Sequence, residues 1–183
     1  MNFVIPVREG LELRLRSEAD AKEVFDLIDS NRDFLRQWLP WVDATRTVED
    51  TRKYIRSTAE NFQEEKGLDL GIWYDNQWVG SIGFHFWDKA NRKDTIGYWL
   101  AQDFQGKGIV TDSVRALAAY GFQKMNLNRI EILCAVENTK SRAIPERLGF
   151  KNEGITRECE WLYDHFVDSV TYSLLRREWE QNK

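Results

Sequence analysis

A glycine-bearing loop between a strand and an amphipathic helix constrains this chain more than any other feature. The loop reads Gln105-Gly106-Lys107-Gly108-Ile109-Val110-Thr111. Before it, Asp94 to Leu100 reads as a strand. After it, Val110, Val114, Leu117, Ala118, Gly121, Phe122 and Met125 fall at intervals of three and four, the apolar stripe of an amphipathic helix. The first turn of such a helix has backbone N–H groups with no internal partner and carries the positive end of the helix dipole. Glycine lets a ligand approach that backbone closely, so phosphate or pyrophosphate is its natural occupant. A helix start whose glycines serve only an unusual turn would show the same local pattern.

The spacing narrows the ligand. A Walker loop requires G-x-x-x-x-G-K-[ST], but Lys107 precedes the second glycine. A dinucleotide fingerprint requires G-x-G-x-x-G, and Thr111 stands where its third glycine belongs. That fingerprint also opens the first unit of a parallel sheet, whereas about a hundred residues with antiparallel signals precede this loop. Glu131 lies too early in its strand to reach a ribose. An NAD-dependent oxidoreductase is therefore disfavoured.

Those preceding residues begin with Leu11, Leu13 and Leu15 alternating with charged neighbours, a strand with one wet face. Ser17 with Asp20 opens a helix carrying Ala21, Val24, Phe25 and Ile28, and the apolar stretch Phe34 to Trp41 must break at Pro40. Thr47 with Asp50 opens another helix, ending near Gly67. Strands Leu70 to Tyr74 and Gln77 to Phe86, separated by Asp75-Asn76, form an antiparallel pair. Beyond the glycine loop come a strand from Arg129 to Val136 and a short helix from Ser141 to Leu148, stopped by Gly149 and weakened by Pro145. A final strand follows, with Val170, Tyr172 and Leu174 on one face. No linker or repeat divides residues 1–183, which read as one mixed α/β domain.

Composition removes other classes. With 10 Phe, 8 Trp, 6 Tyr and only 3 Pro, the chain can bury a core and is not disordered. A net charge of −4 lacks the surplus that nucleic-acid binding requires. No apolar run is long enough to span a membrane, and charges at Arg8, Glu9 and Glu12 exclude a secretory signal. Cys134 lies in an apolar run and reads as a buried small hydrophobe; with Cys159, His85 and His165 it offers no metal spacing, so no metal is expected. Two reduced thiols fit a cytoplasmic chain.

A second pattern, Q/R-x-x-G-x-G/A, fits at Gln105 and Gly108, with Val110 departing at the last place. Here the sequence resembles the GNAT superfamily of acyl-CoA-dependent N-acetyltransferases. Further blocks carry the likeness: Asn91-Arg92-Lys93, Ile96 to Leu100, Leu127 to Glu131, Glu137 to Ala143 and Glu146 to Phe150. Together they look like the RimJ/RimL branch, over roughly residues 10–178. The resemblance implies a mostly antiparallel central sheet flanked by helices, with acetyl-CoA as co-substrate. Its pyrophosphate would lie on Gln105, Gly106, Lys107, Gly108, Ile109 and Val110. The pantetheine would run along an edge opened where the strand ending at Trp99-Leu100 splays from its neighbour, near Asn138 and Ser141. An N–H near Leu100 would polarise the thioester carbonyl. By the same likeness Glu160 is the general base and Ser141 the acid. Tyr98 is an alternative acid, and Ser141 alternatively a helix cap or a CoA contact. Lys107, Lys140, Arg142 and Arg147 would offer charge to the CoA phosphates. The implied acceptor is an amine, first a ribosomal-protein amino terminus, otherwise a small amine, antibiotic or peptide. A non-catalytic acyl-CoA-binding module is the alternative to an enzyme. Acidic residues near Glu23 and near Glu158 would favour a cationic acceptor, or else form a solvated polar face. Trp99 and Trp161 would flank the chemistry, with Trp38 and Trp41 at the acceptor site; some of these aromatics would otherwise serve the core or a homodimer.

Overall fold

The alternating runs assemble into one eight-stranded sheet in a computed structural model that describes residues 3–181; Met1, Asn2, Asn182 and Lys183 lie outside the described residues. Its strands are β1 (Val4–Arg8), β2 (Leu11–Arg14), β3 (Leu68–Tyr74), β4 (Gln77–Phe84), β5 (Lys93–Leu100), β6 (Arg129–Ala135), β7 (Lys151–Leu162) and β8 (His165–Leu175). The spatial order is β1-β2-β3-β4-β5-β6-β8-β7. Only β5 and β6 run parallel; every other neighbouring pair is antiparallel. The helices are α1 (Ala21–Ser30), α2 (Arg32–Arg36), α3 (Val48–Gln63), α4 (Ile109–Gln123), α5 (Thr139–Arg147) and α6 (Arg176–Gln181).

Local chemistry explains most boundaries. Thr47 accepts from Asp50 N while Asp50 accepts from Thr47 N, a closed capping box that starts α3. Asp75 and Asn76 both take positive φ, as the tight turn between β3 and β4 requires. Alternation then sorts the core into two layers. Leu100, Ile96 and Ile82 face α4, joining Val114, Leu117 and Phe122. Trp99, next to Leu100, faces the other way, where Trp78 packs with Val24, Ile28, Leu35 and Ile55 of α1–α3.

Three elements depart from the sequence reading. β1 carries Pro6, which the sheet tolerates because β1 is an edge strand. β7 reads as a loop because every residue before Leu162 is exposed, leaving no period-2 signal. The helix placed at Ser141 starts at Thr139, and its N-cap is Asn138, whose side chain accepts from Ser141 N at 3.1 Å. The cap role considered for Ser141 therefore belongs to Asn138.

Candidate active site

The parallel pair β5–β6 is short. Its register covers only Lys93 to Thr95 against Arg129 to Glu131, and beyond it the two strands diverge. On the other side of β5, His85 N donates to Thr95 O at 3.1 Å and Ala101 N to Val79 O at 2.9 Å. These bonds fix the phase of the antiparallel β4–β5 ladder, in which bonded and non-bonded residue pairs alternate. The N–H groups of Tyr98 and Leu100 consequently point away from β4, into the opening toward β6.

The glycine loop lies at the end of β5. Gly106 and Gly108 have φ of 77° and 73°, the left-handed conformation that glycine adopts without a Cβ clash, and Gly108 caps α4. The space above them is clear: nothing lies within 4 Å of a Cβ built on Gly106, and only Asp112 Oδ2, at 3.7 Å, near one on Gly108. The amides of Ile109, Val110 and Thr111 open the helix, with Ile109 and Thr111 buried and Val110 partly so. Cationic groups gather here. Lys140 Nζ donates to Gln105 Oε1 at 3.0 Å, Arg147 to Thr111 Oγ1 at 3.0 Å, and Lys107 lies 4.9 Å from the Phe104 ring centre. Arg142 does not join them; its guanidinium is spent on Tyr172 and on the Val136 carbonyl. Arg8, not singled out from sequence, braces the loop through Asp112 at 2.9 Å and the Lys107 carbonyl at 3.3 Å.

Across the opening, Ser141 meets Tyr98 and Cys134. Ser141 Oγ donates to Tyr98 Oη at 3.1 Å, and Tyr98 Oη donates to the Ser141 carbonyl at 3.1 Å. Cys134 Sγ is 3.2 Å from Ser141 Oγ. Pro145 makes this arrangement possible. It has no N–H to bond the carbonyl four residues earlier, so the Ser141 oxygen is free for the tyrosine. Burial raises the Tyr98 phenol well above its ordinary pKa, and burial also raises the Cys134 thiol.

Glu160 lies toward the tip of the β7–β8 hairpin, opposite Val167. Although the residue is exposed, partial desolvation of its carboxyl raises the pKa from its ordinary value. It shares a face with Leu162, whereas Trp161 points to the opposite face and packs edge-on against Phe166 at 4.8 Å. Trp161 therefore does not flank the Glu160 carboxylate, contrary to the sequence expectation. Trp99 lies between Trp41 (5.9 Å) and Trp78 (5.2 Å), beneath the segment after α2. Several of the acidic residues are paired with cations, while Glu158, Glu160 and Asp168 near the β7–β8 hairpin are in none of the ion pairs seen among the described residues. Arg129 and Ser173 hold the Glu153 carboxyl down to about 2, while Glu18 pairs with Arg56, Asp26 with Lys22 and Asp29 with Arg32.

Among the described residues, no cluster of three or more His, Cys, Asp or Glu could hold a metal ion, and no helix is long and apolar enough to cross a membrane.

Comparison with known proteins covers this whole frame. The acetyltransferase (GNAT) domain family matches residues 11–151. The relative YdaF of Bacillus subtilis (strain 168) is 39% identical over 182 residues, covering 99% of this chain and 100% of its own. The ribosomal-protein-serine acetyltransferase of Escherichia coli (strain K12) is 32% identical, covering 94% of this chain and 97% of its own. Among solved structures, RimL, a ribosomal L7/L12 alpha-N-protein acetyltransferase with coenzyme A in a disulfide to one of its cysteines, superposes with a TM-score of 0.91. It is 30% identical, over 94% of this chain and 98% of that one. The microcin C7 self-immunity acetyltransferase MccE, solved with acetyl-CoA and AMP, gives 0.88 at 33% identity, over 92% and 94%.

Proposed function

Since this chain belongs to the GNAT acetyltransferase family, and is thereby an N-acetyltransferase using acetyl-CoA, we propose that its acceptor is the free amino terminus of a ribosomal protein. The observation that carries the acceptor is near full-length similarity to the ribosomal-protein-serine acetyltransferase and to RimL. Such an acceptor places the reaction in the cytoplasm.

The site residues support this chemistry as follows. The clear space at Gly106 and Gly108 and the opening of α4 fit the pyrophosphate of the donor on the amides of residues 105–110, with Lys107, Lys140 and Arg147 neutralising its charge. The inward N–H of Tyr98 and the unpaired edge of β5 beyond Thr95 fit a pantetheine arm, which binds as an added strand would. Asn138 keeps the loop before α5 in place while its side chain caps the helix. Acetyl-CoA supplies an activated acetyl group whose carbonyl carbon an amine can attack directly. Leu100 N–H, directed into the opening, is the donor for the oxygen that becomes negative during that attack. Glu160, its basicity raised by desolvation, takes the proton from the amine. Ser141 gives a proton to the departing thiolate and regains one from solvent, while Tyr98, which accepts from Ser141 Oγ and donates to the Ser141 carbonyl, holds that side chain in place.

A second reading, acetylation of a small amine, draws support from MccE, which was solved with AMP beside acetyl-CoA. The deciding experiment incubates the protein with acetyl-CoA and a panel of unblocked amino-terminal peptides, isolated ribosomal proteins, and small amines including aminoacyl nucleotides. Acetylation of ribosomal-protein amino termini with the highest kcat/KM is expected. Preference for a small amine selects the second reading, and acetyl-CoA binding without transfer to any amine identifies a binding module.

A further inference from the structure

We propose that Tyr163 is a positioning residue: it anchors the tip of the β7–β8 hairpin to the segment after α2 and so fixes the strand that carries Glu160. The inference rests on Glu160 being the base. The hairpin needs such an anchor. Support for β8 from the β6 side reaches only Asp168, whose carbonyl accepts from Val136 N at 2.9 Å, so residues 160–167 project beyond the sheet as a two-stranded ribbon. An isolated ribbon of this kind is marginally stable. Its base is also interrupted. Between Thr156 and Glu160 the register shifts, with Arg157, Glu158 and Cys159 bulging opposite Asp168, and Glu158 has φ 49°. A surface hollow of about 330 Å³ lined by Arg157, Glu158 and Asp168 opens beside this bulge. Where the ribbon leaves the sheet, regular pairing is replaced by a side-chain bond, Glu158 N donating to Asp168 Oδ1 at 2.7 Å.

At its far end, Tyr163 Oη donates to the Leu39 carbonyl at 2.6 Å, joining residues 124 apart in sequence. The Arg36 guanidinium lies 3.8 Å from the Tyr163 ring centre and is itself held by Asp43 at 3.0 and 3.1 Å. Leu39 is followed by Pro40 and Trp41, and Trp41 packs on Trp99 of β5. The anchor thus ties the Glu160 strand to the wall of the opening that holds the proposed carbonyl donor. Tyr163 occupies this turn despite φ 60°, a conformation in which asparagine or glycine is favoured and a bulky side chain is strained. Strain retained at a turn, with the side chain in a long-range bond, points to a use beyond turning the chain.

The test measures kcat, both KM values, melting temperature and hydrogen exchange for Tyr163→Asn, Tyr163→Phe and Glu160→Gln, with the best acceptor from the panel above. Tyr163→Asn relaxes the turn but removes the anchor. It is expected to leave melting temperature and acetyl-CoA KM unchanged or improved. Its kcat is expected to fall about three- to tenfold, the equivalent of one lost hydrogen bond. Exchange should quicken only at amides 160–167, and Tyr163→Phe, which keeps the ring under Arg36, should fall between. Wild-type kcat in both Tyr163 variants, beside an impaired Glu160→Gln, overturns the positioning role alone. A parallel loss of kcat and melting temperature, with exchange quickened throughout the chain, reduces Tyr163 to a structural contact and overturns it too. Wild-type turnover in Glu160→Gln overturns the base assignment, and this inference falls with it.

Discussion

At the scale of single residues, the raised pKa of Glu160 links rate and stability with opposite signs. The folded chain holds its proton to higher pH than the unfolded chain does. Stability from this group is therefore present below the ordinary carboxylate pKa and is lost as pH rises through the raised one, where the rate should rise as the proposed base ionises. Glu160→Gln removes both effects. Its kcat should drop about a hundredfold or more and lose the acidic limb of the pH profile, while acetyl-CoA affinity and melting temperature at neutral pH are unchanged or improved. Steady-state kinetics across pH, calorimetry and a thermal melt check the three parts. Sequence reached Glu160 and Ser141 only through family likeness, because their partners are remote: Tyr98 is 43 residues from Ser141. One local signal for that contact did exist. Pro145, which weakened the helix reading, lies four residues after Ser141 and frees the carbonyl that Tyr98 binds.

At the scale of elements, the start of α4 and the start of α3 have different jobs and should fail differently. Gly108 holds a left-handed φ of 73° with open space above it. A Gly108→Val side chain would strain that turn by about 1–2 kcal/mol and intrude on the proposed pyrophosphate seat. Isothermal titration should show the acetyl-CoA Kd weakened at least tenfold. Thr47→Ala opens the α3 capping box far from this seat and should cost about 1 kcal/mol. A melting temperature lower by about 2–4 °C, with kcat/KM unchanged, is the expected result. Both starts were legible in sequence because their determinants lie within a few residues of one another. β7 was not, since a strand exposed on both faces has no alternation to read. The divergence of β5 from β6 was not legible locally either, because where two strands stop pairing is decided by what each packs against.

At the scale of the whole molecule, a polar cluster built on a buried ion pair helps to fasten the helical layer of α1–α3 to the sheet. Arg16 donates to Ser81 Oγ at 2.7 Å and pairs with Asp69, which also accepts from Tyr54 of α3 at 2.6 Å. The Arg16 and Asp69 side chains are only 2% and 10% exposed, so removing one leaves the other's buried charge with only a hydroxyl partner. Arg16→Met should cost about 3–5 kcal/mol, read as an earlier urea midpoint. The N–H groups of Tyr98 and Leu100 that face the opening between β5 and β6 have another kind of robustness. They belong to every amino acid except proline, so ordinary missense change at these positions leaves the donors in place. A lineage of such proteins can thus exchange the side chains that choose an acceptor while inheriting the proposed polarising amide unaltered. Removing the amide itself calls for Leu100→Pro or an ester in the main chain at that position.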